Sequence, residues 1–490
     1  MKAPLRVLFL ASEADPLVKI GGLGDVAGSL PLALRQVSGE IDIRLAVPFY
    51  GQINRSNYSI EKLCSYPISL KTGEVTAEAF MLKLNGLIVY LIGGQLFPSD
   101  APIYTTDSYA DGLKFTFFSL AALELTRQIN WTADIIHAND WHTAPAIYAP
   151  SCKGSKWEFF SSASTVLGLH NLAYLGFGAE RALKEFELPP ANGSALPWWA
   201  QQLPLPLGLL RADRIVAVSP TYSREILTSE FGMGLQNFLK ARSKNILGIL
   251  NGLDVERWNP ETDRALPVKY SWRELEARLA NKAALQTELG LECVARAPLL
   301  AMVSRLDRQK GVDLIPEALR QLMITPTYTD QSWQMIILGI GDPDLENMLL
   351  SFQREFPRRV RTFIKFDAAL SRRIYAGADI LLIPSRYEPC GLTQMIAMRY
   401  GCVPLARSTG GLKDTIIDFD ETMESTGFLF DEASSGALGE AIGRSLLVFQ
   451  NQALWSGLQR RGMQCDFSWR RSALQYLELY SELVSRRNRL

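Results

Sequence analysis

Short, continuous apolar runs recur along the whole chain, separated by helical patterns. In the first half they include Val7–Ala11, Ile43–Val47, Ile135–Ile136, Thr165–His170, Ile215–Val218 and Ile246–Leu250. In the second half they include Leu299–Val303, Met335–Leu338, Ile380–Ile383 and Val403–Ala406. A strand with one wet face alternates polar and apolar residues. A strand that does not alternate is covered on both sides, and crossover helices do the covering. The pattern therefore predicts an α/β protein with parallel sheets. At 490 residues the chain is too long for one ordinary core. Its two series of runs predict two doubly wound, Rossmann-like domains. Such folds bind ligands beyond the carboxyl ends of their strands, and the cleft between the domains is the expected site.

The seam is expected at Asn251–Asp254 (NGLD), giving one domain over residues 1–250 and a second over 251–465. Ala473, Leu474, Leu477 and Tyr480 follow Asp466-Phe467-Ser468-Trp469 at the spacing of one helix face, with Ser468 as N-cap, so residues 466–490 read as a final helix.

Several classes of function are disfavoured. Lys plus Arg equals Asp plus Glu at 51 each, without the basic surplus of a nucleic-acid or membrane-surface protein. No apolar stretch approaches the roughly 18 residues of a membrane span. Met1–Leu10 reads as a short charged lead into a strand, not a signal peptide. The six cysteines are scattered with no CxxC pair, which argues against a disulfide framework or zinc site and for a reducing, cytoplasmic setting.

Candidate chemistry collects at strand ends. Lys19-Ile20-Gly21-Gly22-Leu23-Gly24-Asp25-Val26 follows the first run and opens a helix whose face is Val26, Leu30, Ala33, Leu34 and Val37. Glycines admit close backbone approach, and a helix N-terminus beside a lysine suits a diphosphate. The spacing is neither GxGxxG nor GxxxxGK[ST], and an ordinary strand–helix turn fits it equally well. The chain's three histidines are His137, His142 and His170. With no HExxH or cysteine cluster they do not read as a zinc site. Each could simply hold a loop by donating to a carbonyl, but their grouping beside Asp140 favours function, for His170 above all.

In the second half, Arg305 ends a strand and Lys310 follows five residues later, placed to reach one diphosphate together. Gly339-Ile340-Gly341-Asp342 offers another close-approach loop. Glu388, held out of a helix by Pro389, precedes a helix starting near Gly391–Leu392. Ser408–Asp414 repeats the strand, glycine-rich loop and helix arrangement. A single carboxylate there suits sugar hydroxyls. A glycosidase would need a facing pair, and the spacing singles out no partner.

Together these segments resemble the glycogen and starch synthase family of retaining GT-B glycosyltransferases. The matching blocks are KIGGLGDV (19–26), HANDWHTA (137–144), LHNLAYLG (169–176), VSPTYSREI (218–226), NGLDVERWNPETD (251–263), SRLDRQKGVDL (304–314), PSRYEPCGLTQ (384–394), STGGLKDT (408–415) and DFSW (466–469), in the family's order. The resemblance implies a GT-B fold, two Rossmann-like domains facing across a deep cleft, with the last helix crossing back onto the first domain. It implies ADP-glucose as co-substrate and α-1,4-glucan (glycogen or maltooligosaccharide) as acceptor, with retained configuration and with neither metal nor other cofactor. Lys19, Gly21, Gly22 and Leu23 would contact the donor and its diphosphate, which Arg305 and Lys310 would neutralise. His170, with Asn171 beside it, would hold the glucose, its backbone carbonyl steadying oxocarbenium character. Asp140 would sit beside the sugar, Glu388 would bind its hydroxyls, and Gly391, Leu392 and Thr393 would present a helix N-terminus to phosphate.

The chain departs from the family in two places. Where relatives often carry a segment like GYDEALAHRI, this chain has Lys365–Ile374, with Lys365, Ala368 and Arg372 in place of glycine, glutamate and histidine. Phe366 there could stack on a nucleobase or fill the core. Ahead of Arg211, Leu205-Pro206-Leu207-Gly208 replaces a Lys-Gly-Gly-like run, and Ala191–Gln202, with Trp198 and Trp199, is also unusual. An altered acceptor preference is the expectation. The alternatives are UDP-glucose as donor, a small acceptor, or a glucan-binding paralogue without catalysis.

Overall fold

The computed structural model describes residues 4–98, 102–152, 159–160, 162–325, 332–419 and 424–487. Met1–Ala3, at the start of the predicted lead, lie outside the described residues. Two compact units result: Met1–Gly252 joined by Trp469–Leu490, and Leu253–Ser468.

Among the described residues the first unit carries nine strands: β1 (Leu5–Leu10), β2 (Ile41–Pro48), β3 (Glu61–Leu70), β4 (Gly73–Leu84), β5 (Leu87–Gly94), β6 (Ile135–Asn139), β7 (Ser164–Leu169), β8 (Arg214–Ala217) and β9 (Ile246–Gly248). Their order is β3-β4-β5-β2-β1-β6-β7-β8-β9. Only β4 runs against the others, pairing antiparallel with β3 and β5, so this sheet is mixed where the apolar runs predicted a purely parallel one. The cause is local. Asn85 and Gly86, at φ 48° and 80°, close a two-residue hairpin whose twist suits antiparallel strands. Along β4, buried Val75, Ala77 and Ala79 alternate with Glu74, Thr76 and Glu78. This is the period-2 signature of a half-wet strand, not a continuous apolar run.

The helix Gly22–Val37 buries Leu23, Val26, Ala27, Leu30, Ala33 and Leu34. The C-terminal helix Trp469–Arg487 sets Trp469, Ala473, Tyr476, Leu479, Tyr480 and Leu483 into the same core. At about 1.5–3 kcal/mol for each large apolar side chain, this anchors the end of the chain to the first unit.

The second unit carries β10 (Leu299–Val303), β11 (Gln334–Gly339), β12 (Val360–Ile364), β13 (Ile380–Ile383), β14 (Val403–Arg407) and β15 (Phe428–Phe430). All are parallel, in the order β12-β11-β10-β13-β14-β15. In each unit the chain fills one side of its first strand before it crosses to the other side. It does so outward through β11 and β12 in the second unit, and by β2 and then inward from the edge through β3, β4 and β5 in the first. The switch points therefore fall between β1 and β6 and between β10 and β13. In open α/β sheets ligands bind in the crevice at such points, beside the loops at the carboxyl ends of those strands.

Among the described residues no helix is long and apolar enough to cross a membrane.

Candidate active site

In the first unit, Asp140 follows β6 directly and is buried, with its backbone in the left-handed region at φ 53°. Aspartate tolerates that region better than most residues. Its Oδ1 accepts the backbone N–H of His170 at 2.7 Å and of Asn171 at 3.3 Å, so one carboxylate draws the end of β7 onto the end of β6. Asn139, which the sequence reading passes over, completes the stitch. Its Nδ2 donates to the carbonyl of Leu10 at 2.8 Å, which turns Oδ1 toward His170 Nε2 at 2.9 Å. An amide oxygen only accepts, so Nε2 carries the proton and Nδ1 keeps its lone pair. Burial pulls the His170 pKa down to about 4 and pushes that of Asp140 up to about 7. Three predicted residues, Asp140, His170 and Asn171, thus meet at one strand-end junction.

The other two histidines do different work. His137 Nδ1 lies 2.6 Å from the hydroxyl of Tyr480 on the C-terminal helix. His142 packs among Tyr104, Phe115 and Trp141. Among the described residues neither they nor His170 hold a loop through a backbone carbonyl, as the simplest reading has it; a hydroxyl, an aromatic cage and a side-chain amide take that place. Burial lowers both pKa values to about 3. This gives a stability prediction. The three histidines are neutral in the folded state down to about pH 4, whereas the unfolded chain protonates them near 6.5. Asp140 opposes this, since its proton is retained in the folded state up to about 7, and Glu13, also raised, opposes it near the bottom of the window. The net uptake on unfolding is still positive, so stability should fall as pH drops from 6.5 to 4.5, by ~1–3 kcal/mol per unit. Thermal melts across that range check it; a flat Tm would show that these imidazoles titrate normally.

The loop after β1 is ordered from within. Glu13, buried and with its pKa raised by burial, accepts the N–H of Ile20 and, at 3.0 Å, of Gly21. The Gly21 N–H, expected to face a phosphate, is engaged by this carboxylate. Gly22 and Leu23 open the helix, and the Leu23 side chain is buried, so a ligand contact from it would come through the backbone. Lys19, partly exposed, reaches Asp25 at 2.6 Å and Asp15 at 3.9 Å.

In the second unit the ends of β10 and β13 converge. Lys310 Nζ lies 2.6 Å from Glu388 Oε2, and the Ser385 hydroxyl donates to the same oxygen at 3.0 Å. The Lys310 backbone is set by Asp307, whose carboxylate accepts its N–H at 3.0 Å. Two glycines allow this approach. A Cβ on Gly311 (φ 68°) would stand 2.0 Å from the carbonyl of Pro384, and one on Gly410 (φ 45°) 1.9 Å from that of Glu388. The loops after β10, β13 and β14 therefore touch backbone to backbone. The same holds for Gly339 and Gly341, which pack on the carbonyls of Ser304 and Leu306, so their smallness also serves loop packing. Arg305 is 59% exposed by side chain, 3.1 Å from Asp307. Gly391 sits at φ 71° and Leu392 precedes the helix Thr393–Arg399.

The divergent segment has its own logic. Phe366 is 88% exposed and so is not a core aromatic. Arg372 bonds Asp263 at 2.7 Å and lies 4.2 Å over the Trp258 ring, which ties it into the unit's structure. The helix Pro204–Arg211 buries Leu205, Pro206, Leu207 and Gly208.

Known proteins are similar to this chain in both of its halves. Residues 6–241 match the family described as starch synthase catalytic domain, and residues 294–447 match glycosyl transferases group 1. The chain is 40% identical over 494 residues to the glycogen synthase of Geotalea daltonii, covering 99% of this chain and 100% of that protein. To that of Nitrosomonas europaea it is 39% identical, covering 98% of each. Among solved structures, the catalytic domain of starch synthase IV from Arabidopsis thaliana bound to ADP and acarbose is 32% identical with a TM-score of 0.88, covering 99% of this chain and 100% of that one. Sucrose-phosphate synthase from Thermosynechococcus elongatus, at 19% identity and a TM-score of 0.61 over 98% of this chain and 99% of that one, shares the fold. With its two α/β units of GT-B type, the chain belongs to the glycogen and starch synthase family of glycosyltransferases.

Proposed function

We propose that the chain transfers glucose from ADP-glucose to the non-reducing end of an α-1,4-glucan with retention of configuration, in the cytoplasm. The observation that carries the reading is the Lys310–Glu388 pair where β10 and β13 end, in a chain that aligns over its whole length with glycogen synthases. Arg305 and Lys310 meet the diphosphate and offset the charge that grows on it as the bond to glucose breaks. Lys19 and the helix start at Gly22 and Leu23 add to this, as do the N–H groups at Gly391–Thr393. Glu388 accepts from the hexose hydroxyls. His170, kept neutral, holds the sugar and turns its backbone carbonyl toward the anomeric carbon, with Asn171 and Asp140 fixing that peptide. Phe366 offers a face to the nucleobase. No metal or other cofactor enters this scheme.

A second reading keeps the same transfer with UDP-glucose as donor, because the chain departs from the family at Lys365, Ala368 and Arg372. Labelled ADP-glucose and UDP-glucose, each offered with glycogen, maltotriose or glucose, separate the two. Incorporation from ADP-glucose into glycogen or maltotriose is expected. Incorporation from UDP-glucose alone would replace the donor, and none from either would end the proposal.

A further inference from the structure

The first unit exposes aromatic rings on two adjoining loops, one following β7 within and just after the family-like block 169–176, the other in the 191–202 segment where the chain departs from that family. Tyr174 is 52% exposed, Phe177 58% and Trp198 83%. The Phe177 ring stacks on Trp199 with centroids 6.1 Å apart and planes 19° from parallel. The two loops that carry them are firmly held. Ala191 N–H donates to the Gln201 carbonyl at 2.9 Å, and Leu205 N–H to that of Leu175 at 3.3 Å. Gly234 leaves room for the indole of Trp199, since a Cβ there would lie 2.9 Å from the ring. Large apolar rings fixed in water oppose the hydrophobic effect, and surfaces gather them mainly where something binds.

The cluster is continuous with the junction at Asp140 and His170. Tyr174 N–H donates to the carbonyl of Asn171 at 3.2 Å. A Cβ on Gly176 would stand 3.0 Å from the ring of Trp141, the residue after Asp140. A flat ring suits the C–H face of a glucopyranose, whose hydroxyl edge stays in water, and rings repeated along a surface suit a repeated sugar.

We infer that Tyr174, Phe177 and Trp198 form a stacking platform for the acceptor glucan, beyond the residues that handle glucose transfer. This rests on the acceptor proposed above. The platform grips long chains more than short ones, because a short acceptor ends before reaching every ring. It provides a physical basis for an altered length preference.

The test uses the full-length protein without donor, titrated with maltoheptaose, and then initial rates on glycogen and maltotriose. Trp198→Ala with Phe177→Ala should weaken maltoheptaose binding about tenfold, as expected for the loss of aromatic contacts. It should raise KM for glycogen similarly and leave kcat on maltotriose within about twofold. Trp198→Phe should recover most of the affinity. Tyr174→Ser, on the other loop, reads the same affinity should the double variant fail to fold. Unchanged maltoheptaose affinity and KM in the folded variants would overturn the platform while leaving the transfer reaction standing. Absence of transfer by the wild type would instead remove the proposed reaction, and the titration would still decide the platform.

Discussion

Lys310→Ala and Glu388→Ala each lower turnover with ADP-glucose and glycogen at least ~100-fold, the scale of one lost transition-state electrostatic contact. A unit charge pair 4 Å apart gains about 4 kcal/mol at an effective dielectric of 20, before desolvation. A helix terminus adds roughly 0.3–1 kcal/mol. The cations therefore dominate stabilisation of a departing diphosphate, and the seven-residue helix after Leu392 is secondary. The two side chains also hold each other at 2.6 Å. Truncating either leaves the other with less compensation, so a loss of rate could reflect a disturbed fold. Glu388→Gln separates these causes. It keeps the size and still accepts from Ser385, so Tm should shift by only a few degrees while turnover collapses. Near-normal turnover in the Ala variants, measured beside their melts, would remove this site from the reaction.

The pair also shows what is legible in the sequence. Each partner lies where an apolar run ends, so Arg305, Lys310, Glu388, Asp140 and His170 can all be picked out as strand-end residues. That Lys310 and Glu388 touch cannot, because they are 78 residues apart and their contact depends on Gly311 and Gly410 letting three loops meet. Asn139 and Glu13 escape for a related reason: nothing in a lone carboxamide or carboxylate tells which backbone it will bond. The antiparallel ribbon is different, since Asn85-Gly86 between the alternating stretch of β4 and the apolar run Leu87–Ile92 is a strong hairpin signal. Reading continuous apolar runs selects buried strands and passes over half-wet ones, so β3 and β4 go unseen, whereas β5, Leu87–Gly94, is itself a buried apolar run of the kind such a reading selects. Residue type alone makes Phe366 a core candidate, although Lys365 and Asp367, bonded to each other at 2.8 Å beside it, mark a wet surface.

Asp140→Ala should cost ~100-fold or more in kcat, the penalty of misplacing reacting groups by about an ångström, and Asp140→Asn should cost less but change the pH profile. The N–H of Asn171 belongs to the same peptide as the His170 carbonyl. A carboxylate accepting that N–H polarises the peptide and adds negative charge to the oxygen proposed to face the anomeric carbon. Only the ionised form does this fully, and burial sets the Asp140 pKa at about 7. Turnover should therefore rise with pH through about 7 and level off above it. The substituted carboxamide would still accept the backbone N–H groups through its oxygen, but it bears no charge, so in Asp140→Asn the rise should vanish. Alanine would leave both N–H groups without this acceptor and keep the backbone at φ 53°, a conformation costing roughly 1–2 kcal/mol for most side chains. Stability moves the opposite way. A folded-state pKa above the unfolded value of 3.8 stabilises fully below 3.8, and the contribution is lost as pH rises through 7. The pH that charges Asp140 for chemistry thus weakens the fold around it, and Asp140→Asn should gain Tm relative to wild type between pH 6 and 8. Profiles of kcat and Tm from pH 5.5 to 8.5 on both proteins read the two effects together. An acid limb that persists unchanged in the Asn variant would assign the titration to another group and leave Asp140 a purely structural tie.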